Sequence, residues 1–258
     1  MNTKNIPLAE FDSDTKAIIE PSEIVKGKSP SEYCVMPFFG GVIRKLIDEG
    51  RLEKILDLLI PSPSVHPNEA YRLEFEGKTI VVAYPGIGSA LAAGTLEELI
   101  AMGCRKFVAC GSSGVLKSSL KRGAVVIPAV AVRDEGTSFH YCPPAREIEM
   151  DSKVVEKLTA VLKKHNINYE IGKTWTTDGF YRETKGKVAA RAKEGCVAVE
   201  MECSALLAVA NYRRVIFGQY LTAGDDVSGE EWDPRYVDNT LSFNEKVFWL
   251  SVEACLSL

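Results

Sequence analysis

One junction recurs along this chain and constrains it more than any other feature. A short, largely apolar run ends near a glycine or a carboxylate, and a helical period often follows. Thr79–Tyr84 leads into Pro85-Gly86-Ile87-Gly88-Ser89, and Lys106–Cys110 into Gly111-Ser112-Ser113-Gly114. Residues 197–200 lead into Glu200-Met201-Glu202-Cys203, and 214–222 into Ala223-Gly224-Asp225-Asp226-Val227. Runs that are apolar rather than alternating belong to strands covered on both faces. Between them, 89–102 sets Ala92, Leu96, Leu99 and Ile100 at helical spacing, and 152–165 does the same with Val154, Val155, Leu158, Val161 and Leu162. Strand-like stretches at 124–132 and 169–176, a charged helix at 184–194, a helix at 203–212 and a terminal helix from about 241 complete the alternation. Pro128 predicts a bulge or an edge within 124–132. Alternating strands and helices predict an α/β layered fold. In such folds ligands bind at the carboxyl ends of strands, where all four junctions lie.

Composition narrows the function classes. A chain of 258 residues, 46% hydrophobic and 26% charged, buries a sizeable core. Its net charge of −4 offers no basic field for a nucleic-acid backbone. No apolar run approaches a membrane span, and the polar start MNTKNIPLAEFDSDTK lacks the apolar stretch of a signal peptide. A soluble cytoplasmic protein is expected, with no nucleic-acid or membrane partner. The seven cysteines form no C-x-x-C and the three histidines no H-E-x-x-H, so neither a disulfide framework nor a metal site is expected. Residues 1–30 read as a loosely docked polar lead-in to a single domain at 31–258.

Each junction admits a chemical and a structural reading. Glycines at 86 and 88, opening a helix, let backbone N–H groups approach an anion, or they make a tight strand-to-helix turn. A dinucleotide fingerprint is excluded, because Leu91 stands where it needs a third glycine or alanine. Gly111–Gly114 suits a nest of anion-binding amides or a polar turn. Glu200 and Glu202 bracket Met201 at a strand's end, where a carboxylate accepts two hydrogen bonds side by side from a vicinal diol such as that of ribose. Complementing a helix dipole accounts for one of these acids but not both. Asp225 and Asp226 are adjacent carboxyls whose repulsion would raise one pKa toward that of a general acid, or they form a solvated turn.

Taken in order, these motifs resemble the nucleoside phosphorylases, the family of uridine phosphorylases and hexameric purine nucleoside phosphorylases. Gly86-Ile87-Gly88-Ser89, Val132–Ser138 with His140, Thr176–Tyr181 and Glu200-Met201-Glu202 carry the likeness, which runs from about Ile18 to the C-terminus. The resemblance implies a three-layer α/β/α sandwich around a mixed central β-sheet, with 31–258 as the catalytic domain. It implies replacement of a nucleoside's base by phosphate, giving free base and ribose 1-phosphate. Inorganic phosphate is then a co-substrate, and no metal or organic cofactor is needed. It implies homo-oligomers, dimer-based and extending to hexamers.

By the same resemblance, Glu202, with Met201 and Glu200, binds ribose, and Phe180 stacks on sugar or base. Gly40, Arg44 and Ser112 bind phosphate, and Asp225 protonates the leaving base. The family's arginine three positions before the hydroxyl is Ala109 here. An arginine reaching in from a neighbouring subunit aligns approximately with His66. Without these guanidinium contacts, phosphate would be held by Arg44, the 111–114 amides and another cation such as Arg133. Otherwise water replaces phosphate in a nucleosidase. A non-catalytic nucleoside-binding protein is the third reading, and retention of Asp225 argues against it. The base is left open between uracil and a purine.

Overall fold

The computed structural model describes residues 6–25, 27–58, 68–236 and 240–258. The described residues form ten strands: β1 Tyr33–Pro37, β2 Leu52–Leu58, β3 Asn68–Phe75, β4 Lys78–Ala83, β5 Lys106–Val115, β6 Val125–Asp134, β7 Glu147–Glu149, β8 Tyr169–Thr177, β9 Cys196–Glu200 and β10 Ile216–Asp226. The helices are α1 Pro21–Ile24, α2 Gly40–Asp48, α3 Ser89–Met102, α4 Ser152–Lys164, α5 Lys185–Lys193, α6 Cys203–Arg213 and α7 Thr240–Ser257.

The strands join in one mixed sheet in the order β10-β6-β8-β9-β5-β1-β4-β3-β2, with β7 on β6. β10 also pairs in parallel with β5, so β5, β10, β6, β8 and β9 close on themselves. The expected sandwich is present, and within it half of the sheet is a closed circuit. Gly114 permits one closure, because a Cβ there would stand 2.8 Å from Val199 on the partner strand β9. The helices α3 and α6 pack together on one side, and α2 and α4 pack with α7 on the other. Helix α6 is buried along Cys203–Ala210, as a helix apolar all round must be. β6 shifts register between Pro128 and Val130, the irregularity its proline predicts.

Two elements run longer than the sequence suggests. β5 continues through Gly111–Val115, and Gly111, Ser112 and Ser113 pair with Leu221, Thr222 and Ala223 of β10. The stretch is therefore extended strand, neither an amide nest nor a turn. β10 likewise includes Asp225 and Asp226, with a register shift between Ala223 and Asp226. Ahead of β1 the chain lies on the body: Tyr212 donates to the Thr15 carbonyl at 3.0 Å, Arg213 reaches Glu20 at 3.4 Å, and the Ser29 amide bonds to the Met102 carbonyl.

Candidate active site

A cleft of about 720 Å³ opens where β5, β9 and β10 end. Its lining includes Ser112, Phe180, Glu200, Met201, Glu202 and Asp225, so six of the expected site residues converge. Gly40 and Arg44 do not line it. Both are exposed on α2, whose buried face is Val42, Ile43 and Leu46. His66 lies outside the described residues. Arg133 is committed elsewhere: its guanidinium donates to Ser138, Pro143 and Cys142 and stands 4.3 Å from the Phe139 ring centre. The Val132–Ser138 motif is thus architectural. Asp134 accepts from the Trp175 indole, and Glu135 from Ser204 and the Ser138 amide.

The two glutamates of Glu200-Met201-Glu202 divide their duties. Glu200 accepts from the amides of Glu202 (2.8 Å) and Cys203 (2.6 Å), and from the hydroxyls of Thr176 (2.7 Å) and Thr174 (3.3 Å). These amides open α6, so Glu200 complements that helix's N-terminus. Its expected share in ribose binding is already taken up by four internal donors. Glu202 accepts the Gly88 amide at 2.6 Å and the Met201 amide at 3.3 Å, which leaves lone pairs for a ligand. The anion at the glycine turn is therefore the protein's own carboxylate. Gly88 caps α3 at φ +93°, a conformation that favours glycine. Ser89 ties the same corner by donating to the Met201 carbonyl at 2.6 Å. Burial first, and then the Glu200 charge, push the Glu202 carboxyl up to about 8. Burial also raises Glu200, against the pull of its four donors.

At the other end, Asp225 and Asp226 turn to different partners. Asp226 bonds to Ser228 and pairs with Arg235. Burial draws its carboxyl up, but these partners together hold it below the ordinary value. Asp225 lines the cleft and accepts the Trp232 indole N–H at 2.7 Å. Its acidic neighbour there is Glu183, which the sequence did not single out. Burial, and then the Asp225 charge, push Glu183 up to about 7. Glu183 follows a single turn at Phe180–Arg182 and precedes the α5 cap Thr184, whose hydroxyl accepts the Lys187 amide at 3.4 Å. Phe180, half exposed, lies 4.1 Å from Tyr181, ring to ring. Cys203 is buried and its thiol pushed up by burial, so it is not poised to react.

Comparison with known proteins agrees with this arrangement. The profile of the phosphorylase superfamily matches residues 33–253. The chain is 28% identical over 188 residues to the guanosine phosphorylase of Halorubrum lacusprofundi, covering 71% of this chain and 78% of that one. It is 27% identical over 177 residues to the uridine phosphorylase of Salmonella typhimurium, covering 62% and 70%. The crystal structure of the purine nucleoside phosphorylase from Toxoplasma gondii superimposes with a TM-score of 0.74 at 19% identity, over 87% of this chain and 90% of that one. The chain belongs to the phosphorylase superfamily, among its nucleoside phosphorylases.

Among the described residues, no group of His, Cys, Asp and Glu is placed to hold a metal ion, and no helix is long and apolar enough to cross a membrane.

Proposed function

We propose that the chain cleaves the N-glycosidic bond of a ribonucleoside with inorganic phosphate. The observation that carries this reading is Glu202. It is a buried carboxylate fixed by two backbone amides on the cleft wall, with accepting capacity left for the ribose diol. As the bond from C1′ to the base nitrogen breaks, its electron pair leaves with the base. Positive charge then develops on the sugar, which favours the ionised form of the preorganised Glu202 carboxyl, and that carboxylate stabilises the charge. A phosphate oxygen forms the new bond to C1′, giving ribose 1-phosphate. The base takes a proton from the acid end of the cleft, where Asp225 stands with Glu183 beside it. Phe180 and Tyr181 offer an aromatic wall to the sugar or base.

Hydrolysis is the second reading, favoured by one observation: among the described residues, those lining the cleft include no arginine or lysine. The test is base release from purine and pyrimidine nucleosides, with and without inorganic phosphate, read by chromatography. Phosphate-dependent release with ribose 1-phosphate as product is expected. Equal release without phosphate would make the protein a nucleosidase. Release from guanosine or from uridine would tell which of the two matched relatives it follows in its base.

Apolar side chains around the cleft support assembly into a homo-oligomer. Ile87 is 65% exposed, Trp232 61% and Tyr181 88%, three large side chains open to solvent at one mouth.

A further inference from the structure

Gln219 lines the cleft but has no part in the reaction as written above. Its side chain is fully buried, and neither Oε1 nor Nε2 has a hydrogen-bond partner. Buried amides are nearly always paired, so one left open at both atoms calls for a ligand or water. Strand alternation fixes where it points. Gly218 faces α4, since a Cβ there would lie 2.9 Å from Val154, and Tyr220 donates to the Leu158 carbonyl of α4 at 2.7 Å. Gln219 and Leu221 therefore face the other way, into the cleft. In the parallel register Gln219 stands level with Ala109 of β5, whose methyl offers no polar group.

The surroundings of Gln219 select a ligand chemistry. The carboxylates lining the cleft belong to the start of α6 and to the Glu183–Asp225 end. The Gln219 carboxamide between them carries no charge. It offers one donor group and one acceptor. An acceptor-only anion would leave Oε1 unpaired. A protonated oxyanion, which carries both P–O and P–OH, satisfies both.

We infer that Gln219 is a phosphate-binding residue, with Nε2 donating to a phosphate oxygen and Oε1 accepting from the P–OH. The inference rests on the phosphorolysis reading. It gives this wall a preference for phosphate over sulfate, which has no proton to donate at neutral pH.

The test uses the full chain, with inorganic phosphate and sulfate as probes. Without nucleoside, phosphate is expected to raise the wild-type melting temperature more than equal sulfate does. Gln219→Leu should abolish that difference. It should raise the phosphate KM at least about tenfold, the worth of one lost charge-assisted hydrogen bond, and leave the nucleoside KM within about twofold. Without ligand its melting temperature should not fall, because the amide removed has no partner. Gln219→Glu, which keeps the shape and adds a negative charge, should raise the phosphate KM further, and it decides the matter if the leucine variant does not fold. A folded variant with unchanged phosphate KM overturns the inference alone. Wild-type base release that needs no phosphate overturns the phosphorolysis reading, and the inference with it.

Discussion

Two walls of one cleft treat their polar groups in opposite ways. Where α3 and α6 begin, nearly everything is matched: Glu200 meets four donors, Glu202 two amides, and Ser89 the Met201 carbonyl. Along the β5–β10 wall, Gln219 is open at both atoms. The first wall builds the site and holds its shape without a ligand. The second bears an unpaired desolvation cost that a bound group would relieve. Glu202 stands between the two conditions, fixed in place yet with capacity left over.

The comparison breaks first, and furthest, at Glu202. If its charge serves the sugar, Glu202→Gln should lower kcat/KM by about 10²–10³-fold, the usual loss on removing a preorganised electrostatic group. The variant should also flatten a pH trend in stability. The folded carboxyl, near 8, lies above its ordinary 4.5. Its contribution is fully present below pH 4.5 and is lost as pH rises through about 8. Denaturant midpoints across that range should fall in the wild type and stay level, for this group, in the variant. Unchanged kinetics on every active nucleoside would remove Glu202 from the mechanism.

Glu200 sharpens the contrast from the other side. Glu200→Ala orphans the two amides that open α6, and should destabilise the fold by about 1–3 kcal/mol for each buried group left unpaired. Thermal melting reads this directly. An unaltered melting temperature would mean that Glu200 is not the residue that secures α6. The smallest effect is expected at Glu183. Its proton is lost as pH rises through about 7. If the Glu183–Asp225 pair supplies the leaving base, kcat/KM falls there. Glu183→Gln should remove that inflection while changing the neutral rate less than about tenfold, and an identical pH profile would separate Glu183 from the reaction.

How legible the molecule was depended on whether a signal is local. Helices α3 and α4 follow their apolar spacing almost residue for residue. Gly111–Gly114 and Asp225-Asp226 resemble strand ends because glycine, serine and aspartate favour turns. Pairing with β9 and β10 overrides that preference. Residues 33–75 show no comparably clear period, and β1, α2, β2 and β3 were not delineated. The Glu-Met-Glu motif was plain, but which glutamate serves the fold depends on Thr174, Thr176 and Gly88, all distant in the chain. Glu183 had no signal beyond being one acid in a charged stretch. Gln219 had one: a lone amide within the apolar IFGQYLTA.

The closed circuit of strands also governs which other chains the sheet can recruit. A strand bonded on both sides has no amides or carbonyls left to template a newcomer. In the described residues the margins include the outer sides of β2 and of three-residue β7, and β10 meets β6 only at Leu221 and Thr222. β2 bears Glu53, Lys54 and Asp57, with Lys54 paired to both Asp57 and Glu69. Charge on an edge strand discourages the edge-to-edge stacking that seeds fibrils. The closed circuit thereby leaves the cleft's strands few free backbone groups for a newcomer, and the β2 margin is guarded by charge.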